Sequence, residues 1–232
     1  MTINIPSHIA VIMDGNARWS KINNLSKIDG YKKGIETLQN LIDICIKTKI
    51  KILTVYALST ENIHRKDINI LYSLINEFIK NNSNISKFDG VDFRLIGDRS
   101  SIDENISSYF KKLENNNINN KKKIILNLAY NYGSWKELEY CISNIINKHD
   151  ENRFSNSDIN ESLIKDNLYM KNIPNPDILI RTGGNKRLSN FLLLQLRYTE
   201  LFFIDTLWPD FNETLFIKIL EEFKNRKRTY GL

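Results

Sequence analysis

His8-Ile-Ala-Val-Ile-Met-Asp-Gly-Asn-Ala-Arg-Trp19 is a short apolar run that stops at a carboxylate and opens into amide donors, an arginine and a tryptophan. Residues 8–13 are too few to cross a membrane and read as a fully buried strand, which is the signature of a parallel sheet covered on both faces. In such sheets ligands bind beyond the carboxyl ends of the strands, and that is where Asp14 falls. Gly15 lets the backbone approach a ligand closely, Asn16 offers an amide and Arg18 a fork of donors for phosphate oxygens. The same residues also fit an ordinary turn in which Asp14 caps the next helix, and the segment by itself leaves both readings open.

Outward from this strand the pattern repeats. Runs at 51–58, 91–96, 123–130, 177–181 and 200–205 read as strands, and patterns near 30–48, 67–81, 102–115, 134–148, 158–169 and 212–227 read as helices. The alternation predicts one α/β domain over 1–232, with a mostly parallel central sheet and helices on both faces. Ile35, Leu38, Leu41, Ile42 and Cys45 share one helical face, as do Ile68, Leu71, Leu74, Ile75 and Phe78; core is the plain reading of both stripes. Asn- and Lys-rich stretches at 81–87, 115–123 and 147–157 read as solvated loops and helix ends, and no internal repeat occurs.

The chain has 232 residues, 41% of them hydrophobic, and 33 Lys and Arg against 27 Asp and Glu, a formal charge of +6. That balance suits a polyanionic small substrate, an anionic membrane or nucleic acid. The basic runs Lys121 to Lys123 and Arg226 to Arg228 are short and lack interleaved aromatics, which speaks against a nucleic-acid partner. Cys45 and Cys141 sit in apolar helical patterns without metal-ligand spacing, as expected of reduced core residues in a cytoplasmic protein. No apolar stretch approaches the ~20 residues of a membrane span, so any membrane contact is expected at the surface.

Two further loops carry polar chemistry. After strand 51–58 come Ser59, Thr60, Glu61, Asn62 and Arg65, which place hydroxyl, amide and guanidinium groups before a helix N-terminus that favours anions. A capping box is the competing reading, since Ser59 and Asn62 are both good caps. After strand 177–181 the sequence Ile180-Arg-Thr-Gly-Gly-Asn-Lys-Arg-Leu-Ser-Asn190 brings two arginines, a lysine and two hydroxyls around a Gly-Gly turn. Arg181, Arg187 and Ser189 are expected to converge there on one diphosphate. Neither a P-loop nor Gly-x-Gly-x-x-Gly is present, so the nucleotide-binding readings lose their main support. Glu200, the one carboxylate in the apolar stretch 191–204, is either paired or on a metal.

Met-Asp-Gly-Asn-x-Arg-Trp at 13–19, Ser-Thr-Glu-Asn at 59–62, Asn-Tyr-Gly at 131–133, Arg-Thr-Gly-Gly at 181–184, Arg-Leu-Ser-Asn-Phe-Leu-Leu at 187–193 and Leu-Trp-Pro-Asp-Phe at 207–211 together resemble the cis-prenyltransferases. Among these the likeness is to the bacterial undecaprenyl diphosphate synthases, and it runs from His8 to the Tyr230-Gly231 tail in family order and spacing. The resemblance implies Mg²⁺-dependent condensation of isopentenyl diphosphate onto an allylic diphosphate such as farnesyl diphosphate. The product is then a long-chain polyprenyl diphosphate, here expected to be undecaprenyl diphosphate, precursor of the cell-wall lipid carrier. It also implies an apolar tunnel and a homodimer in the cytoplasm near the inner membrane surface, with the stretch 191–204 as candidate interface.

The resemblance also implies the site residues. Asp14 assists the allylic diphosphate and binds Mg²⁺, Gly15, Asn16, Ala17 and Arg18 hold its phosphates, and Trp19 lies beside them. Lys27 and Tyr31 extend that substrate site. Asn62 matches the position linked to proton loss from C2 of isopentenyl diphosphate, with Ser59, Thr60 and Glu61 around it. A neutral amide is a poor base, so Asn62 is expected to position the reacting groups while a phosphate oxygen or water takes the proton. Arg65, Arg181, Arg187, Leu188 and Ser189 match the grip on isopentenyl diphosphate, and Glu200 a metal-site carboxylate. Leu126 or Leu128 is the expected tunnel floor.

The chain departs from the family pattern at several positions. Ala17 replaces Gly or Arg with little consequence, Lys27 replaces Arg and loses the bidentate fork, and Tyr31 replaces His. Ile63 replaces Trp and removes an aromatic face. Lys186 stands where a metal-binding His is common, and a protonated ammonium cannot ligate, which leaves Asp14, Glu200, phosphates and water. Ser134-Trp135 replaces Gly-Arg, with no derivable consequence. The competing functions are the same chemistry with a shorter or longer product, or a non-catalytic partner subunit of the same fold. The second is disfavoured by the presence of Asp14, Asn62, Arg181, Arg187 and Ser189.

Overall fold

The computed structural model describes residues 5–63, 72–77, 90–100, 102–115, 122–150 and 155–227. Arg65, Lys121, Arg228 and all of the 67–81 pattern except 72–77 lie outside that set; residues 72–77 are helical. Six strands form one sheet: β1 His8–Ile12, β2 Ile52–Ser59, β3 Val91–Ile96, β4 Ile124–Tyr132, β5 Ile178–Arg181 and β6 Glu200–Phe203. Their order is β3-β4-β2-β1-β5-β6, and every pairing in it is parallel. The helices are α1 Asn16–Ile22, α2 Lys27–Lys47, α3 Glu104–Asn115, α4 Ser134–Asp150, α5 Glu161–Asp166 and α6 Glu213–Asn225.

Three helical elements differ from the sequence expectation. Residues 16–22 are helix instead of loop, and α2 begins at Lys27, three residues early. The reason for the second is a capping box: Ser26 accepts from the backbone N–H of Asp29, whose carboxylate accepts from the N–H of Ser26. The helix expected over 158–169 is shorter, a 3₁₀ turn at Asn156–Asp158 followed by α5.

Alternate strand residues partition the core between the two faces, as the pleat requires. Ile9, Val11, Leu53, Val55, Leu126 and Ile178 pack with α2, α3 and α6 on one face. Ala10, Ile12, Tyr56, Ala129 and Leu179 pack with Tyr132, Met170, Phe191 and Leu192 on the other. Cys45 and Cys141 are both buried and free, in keeping with core roles.

His8, fully buried on the second face, has Nδ1 2.7 Å from the Pro174 carbonyl and Nε2 2.7 Å from Thr54 Oγ1. Burial drives its pKa from 6.5 down to about 4, against the raising influence of Pro174 and Asp177. The folded chain therefore prefers the neutral ring, and below pH 6.5 the unfolded chain binds more protons. Stability is unaffected by His8 above that pH and falls as pH drops from 6.5 towards 4, by about 3 kcal/mol in total. Denaturant midpoints measured between pH 7 and 5 should decline through this window; a flat profile would contradict it.

The strand order fixes where a ligand belongs. The connection leaving β1 runs to β2 on one side, while β5 connects to β6 on the other, so a crevice opens beyond the carboxyl ends of β1 and β5. Asp14 and residues 181–184 meet there.

Candidate active site

The backbone of Asp14 is tied down independently of its side chain. Its N–H donates to Thr182 Oγ1 at 2.9 Å, and its carbonyl accepts from that hydroxyl at 2.7 Å and from the Trp208 N–H at 3.1 Å. Gly15, at φ +125°, caps α1 without any side-chain cap bond, which removes the reading of Asp14 as a helix cap. A side chain at Gly15 would press on Leu207, with atoms 3.0 Å from its Cβ.

The Asp14 carboxylate instead gathers donors. Arg18 Nη2 donates to Oδ1 at 3.0 Å, while Arg181 Nη2 and Asn185 Nδ2 each donate to Oδ2 at 2.9 Å. Burial alone would raise the carboxyl, but the bonds from Asn185, Arg181 and Arg18 together outweigh it and hold the group below the usual carboxylate range. Arg18 also donates to the Gly183 carbonyl at 2.7 Å. Gly183 is at φ +81°, and a Cβ there would lie 2.3 Å from the Arg18 guanidinium, so only glycine fits this turn.

In the third loop Arg181 meets Ser189, and it also reaches the first loop: its side chain is buried beneath the Gly-Gly turn, 4% exposed, and pairs with Asp14. Its Nη1 donates to Ser189 Oγ at 2.8 Å and to the Arg187 carbonyl. The Arg187 side chain is exposed and donates to Asn185 Oδ1 at 3.1 Å. Asn185 thus bridges Arg187 and Asp14. The two candidate cradles are one continuous network with Asp14, Arg181 and Asn185 as its spine.

The second loop forms a 3₁₀ turn, Thr60–Asn62, and Ser59 before it makes no side-chain cap bond, against the competing capping-box reading of that residue. Ser59 is buried at the end of β2, and Glu61 accepts from Asn190 Nδ2 at 2.8 Å. Ala17, Arg18 and Lys27 are exposed, Asn16, Trp19, Tyr31 and Leu188 partly buried. Trp19 Nε1 donates to Asp210 at 2.7 Å. Arg65 lies outside the described residues.

Glu200, expected as a metal-site carboxylate, stands apart from Asp14 in the single chain. It opens β6, paired through Ile178 with Ile9, five residues before Asp14, roughly 17 Å back along the strand direction. Its carboxylate accepts from Arg226 at 2.8 Å. Among the described residues no group of three or more His, Cys, Asp or Glu side chains is arranged to hold a metal.

Beside the network opens an apolar cavity of about 200 Å³, lined at one end by Met13, Asn16, Tyr31 and Trp208. Ile35, Leu38, Ile42, Leu74 and Ile75 form its walls together with Leu128, and Phe93, Phe110 and Leu126 lie towards the far end. Phe93 and Phe110 stack with centroids 5.4 Å apart, and Phe93 stands opposite Leu126 in register. Asn16 Oδ1, at the mouth, is a buried acceptor with no protein partner.

Sequence reasoning missed several residues that organise the site. Thr182 and Asn185 lay inside the quoted Gly-Gly loop but carried no role, because their partner Asp14 is distant in sequence. Glu137 is fully buried, accepting from Tyr132 Oη at 2.5 Å, Gln195 Nε2 at 2.9 Å and the Tyr169 N–H at 3.0 Å. Burial pushes its carboxyl upward, against the lowering influence of these donors. An acid following Asn-Tyr-Gly in an otherwise amphipathic helix was the available signal.

Comparison with known proteins agrees with this geometry. The profile of a prenyltransferase family, described as undecaprenyl diphosphate synthase, matches residues 12–231. The chain is 38% identical to an isoprenyl transferase of Aquifex aeolicus, covering all of this chain and 98% of that protein. It is 39% identical to one from Fusobacterium nucleatum with the same coverage. Among solved structures, lavandulyl diphosphate synthase from Lavandula x intermedia, in complex with dimethylallyl diphosphate, superposes with a TM-score of 0.92 at 29% identity, covering 98% of this chain and 99% of that one. A probable undecaprenyl diphosphate synthase from Campylobacter jejuni gives 0.78 at 31% identity, covering 99% and 100%.

Proposed function

Because the chain belongs to the undecaprenyl diphosphate synthase family of prenyltransferases, we propose that the Asp14 network holds an allylic diphosphate and the 187–189 loop the diphosphate of isopentenyl diphosphate. The activity is cis-prenyl chain elongation. The observation that carries the site assignment is one carboxylate, Asp14, bound at once by Arg18, Arg181 and Asn185 at the mouth of an apolar cavity. Gly15, Asn16 and Arg18 then face the allylic phosphates, with Ala17, Trp19, Lys27 and Tyr31 around them. Arg187 and Ser189 face the second diphosphate, with Leu188 between them and Arg65 as a further cation. Ser59, Thr60 and Glu61 surround Asn62.

In each cycle the C1–O bond of the allylic diphosphate breaks, its C1 joins C4 of isopentenyl diphosphate, and the C2 proton leaves. Negative charge grows on the departing diphosphate, so cations held in place before reaction lower the barrier more than they tighten ground-state binding. Arg181 does this from a buried position, where its charge is poorly screened. Asn62 orients the second substrate, and a phosphate oxygen or water accepts the proton.

Mg²⁺ fits the donor set, since it is commonly held by one or two carboxylates together with substrate phosphates and water. Asp14 supplies the carboxylate, and the bound ion would add charge stabilisation to the leaving group. Glu200 could join Asp14 only across a homodimer, because within one chain it pairs with Arg226 at the opposite end of the sheet. Leu193, Leu194, Tyr198 and Leu201, all exposed near Glu200 in sequence, supply an apolar face for a second copy. No described helix is long and apolar enough to cross a membrane, and contact with the inner membrane surface is proposed through the lipid product.

Elongation of farnesyl diphosphate by labelled isopentenyl diphosphate should stop on chelation and return with Mg²⁺. Turnover that is indifferent to chelation would remove the metal from the account. Product length is proposed to follow the Phe93–Phe110 stack with Leu126, which lies deeper than Leu128 by register. Phe110→Leu should therefore lengthen the product ladder and Leu126→Trp shorten it; identical ladders would place the floor elsewhere.

A further inference from the structure

Ser189, Asn190 and Leu192 all have left-handed backbones, at φ +50°, +60° and +51°, in a segment without glycine. Such conformations persist only where the surroundings hold them. For Asn190 those surroundings are visible atom by atom. Its carbonyl accepts from the Ser134 N–H at 2.8 Å and the Ser134 hydroxyl at 3.0 Å, at the start of α4. Its Oδ1 accepts from the Trp135 N–H at 3.3 Å. That orientation leaves Nδ2 to donate to Glu61 Oε1 at 2.8 Å, on the turn that carries Asn62. A Cβ at Gly133 would lie 2.7 Å from both Asn190 Nδ2 and Thr60 Oγ1, so glycine is what lets the three loops close on one another. The bond also lowers the Glu61 carboxyl, against the raising effect of burial.

We propose that Asn190 is a positioning residue that locks the 187–189 phosphate loop to the turn carrying Glu61 and Asn62, setting the distance between the diphosphate of isopentenyl diphosphate and the group that orients its reacting carbons. This rests on the assignment of that loop to isopentenyl diphosphate. Ser189 is tied through Arg181 to β5 and, by the Tyr56 hydroxyl donating to its carbonyl at 3.2 Å, to β2, but neither bond reaches the turn that follows β2. Asn190 bonds to that turn itself, at Glu61 beside Asn62.

The bond has a direction, amide donor to carboxylate acceptor, and can be inverted. Asn190→Asp keeps the size, the left-handed backbone tolerance and the acceptor for Trp135, but sets a carboxylate against Glu61. We expect kcat/KM for isopentenyl diphosphate to fall about tenfold or more, with KM for the allylic substrate unchanged. Adding Glu61→Gln to Asn190→Asp restores a donor–acceptor pair in the opposite sense and should recover most of the loss. Thermal melts of each variant and calorimetric titration with isopentenyl diphosphate accompany the kinetics. Wild-type rates in Asn190→Asp, or a loss that Glu61→Gln does not repair in a folded protein, would overturn the proposal. An Arg187→Ala variant that binds isopentenyl diphosphate as tightly as the wild type in the same titration would overturn the loop assignment beneath it, whatever Asn190→Asp does.

Discussion

Asp14→Asn is expected to lower turnover by about a hundredfold to a thousandfold, the usual cost of deleting one preorganised charge-stabilising group. The amide keeps the size and one acceptor, and the backbone at this position is held by Thr182 and Trp208, not by the carboxylate. The fold should therefore persist, with a lower melting temperature because the buried Arg181 loses its counter-charge. What is lost is the negative charge that organises Arg18, Arg181 and Asn185 and that is proposed to hold Mg²⁺. Steady-state kinetics should show the effect mainly in kcat. A variant turning over at wild-type speed would remove Asp14 from the chemistry.

Arg181→Lys should be almost as costly, about a hundredfold in kcat/KM for isopentenyl diphosphate. The native guanidinium reaches three partners on two elements at once: Asp14, the Ser189 hydroxyl and the Arg187 carbonyl. An ammonium is a point donor that cannot span them in the same geometry. The lysine retains a positive charge beside Asp14, so the protein should fold, with a lower melting temperature from the imperfectly filled buried site. Because Asp14 and Arg181 touch, their effects should not multiply. The Asp14→Asn, Arg181→Lys pair is expected to lose less than the product of the single losses. Full multiplicativity in a kinetic double-mutant cycle would show that the two residues act independently.

The parts of this account that could be read in advance are those in which one local pattern has one physical meaning. The apolar runs at 8–13, 91–96 and 177–181 have no exposed face to pattern, and each became a parallel strand within a residue of its expected ends. The early start of α2 was missed because Ser26 and Asp29 lie ahead of the apolar stripe that marks the helix. α1 was missed because 16–22 has too few apolar residues to make a stripe, and its cap is a glycine with no side-chain signal.

The site was legible as a set of residue types and illegible as a set of partners. Arg181 had the chemistry of a phosphate ligand, yet nothing near it in sequence indicates that it lies under its own loop and grips a carboxylate 167 residues away. Glu200 was open between pairing and metal; Arg226, 26 residues on, resolves its contact within one chain in favour of pairing. Asn185, a short polar residue in a loop, carried no signal until the fold set Arg187 and Asp14 on either side of it. The apolar stripe on α2 could be read as core or as tunnel, and it became both: Ile35, Leu38 and Ile42 line the cavity, while Leu41 and Cys45 are buried core.

The proposed site holds two diphosphates for cis-prenyl transfer, one at the Asp14 network and one at the 187–189 loop. Incubating the protein with farnesyl diphosphate, labelled isopentenyl diphosphate and Mg²⁺, then sizing the products and reading their double-bond geometry, tests it most directly. The expected result is a ladder of prenyl diphosphates longer than the primer by whole five-carbon units, each new double bond cis. Label that remains entirely in unreacted isopentenyl diphosphate, or new double bonds that are trans, would contradict it.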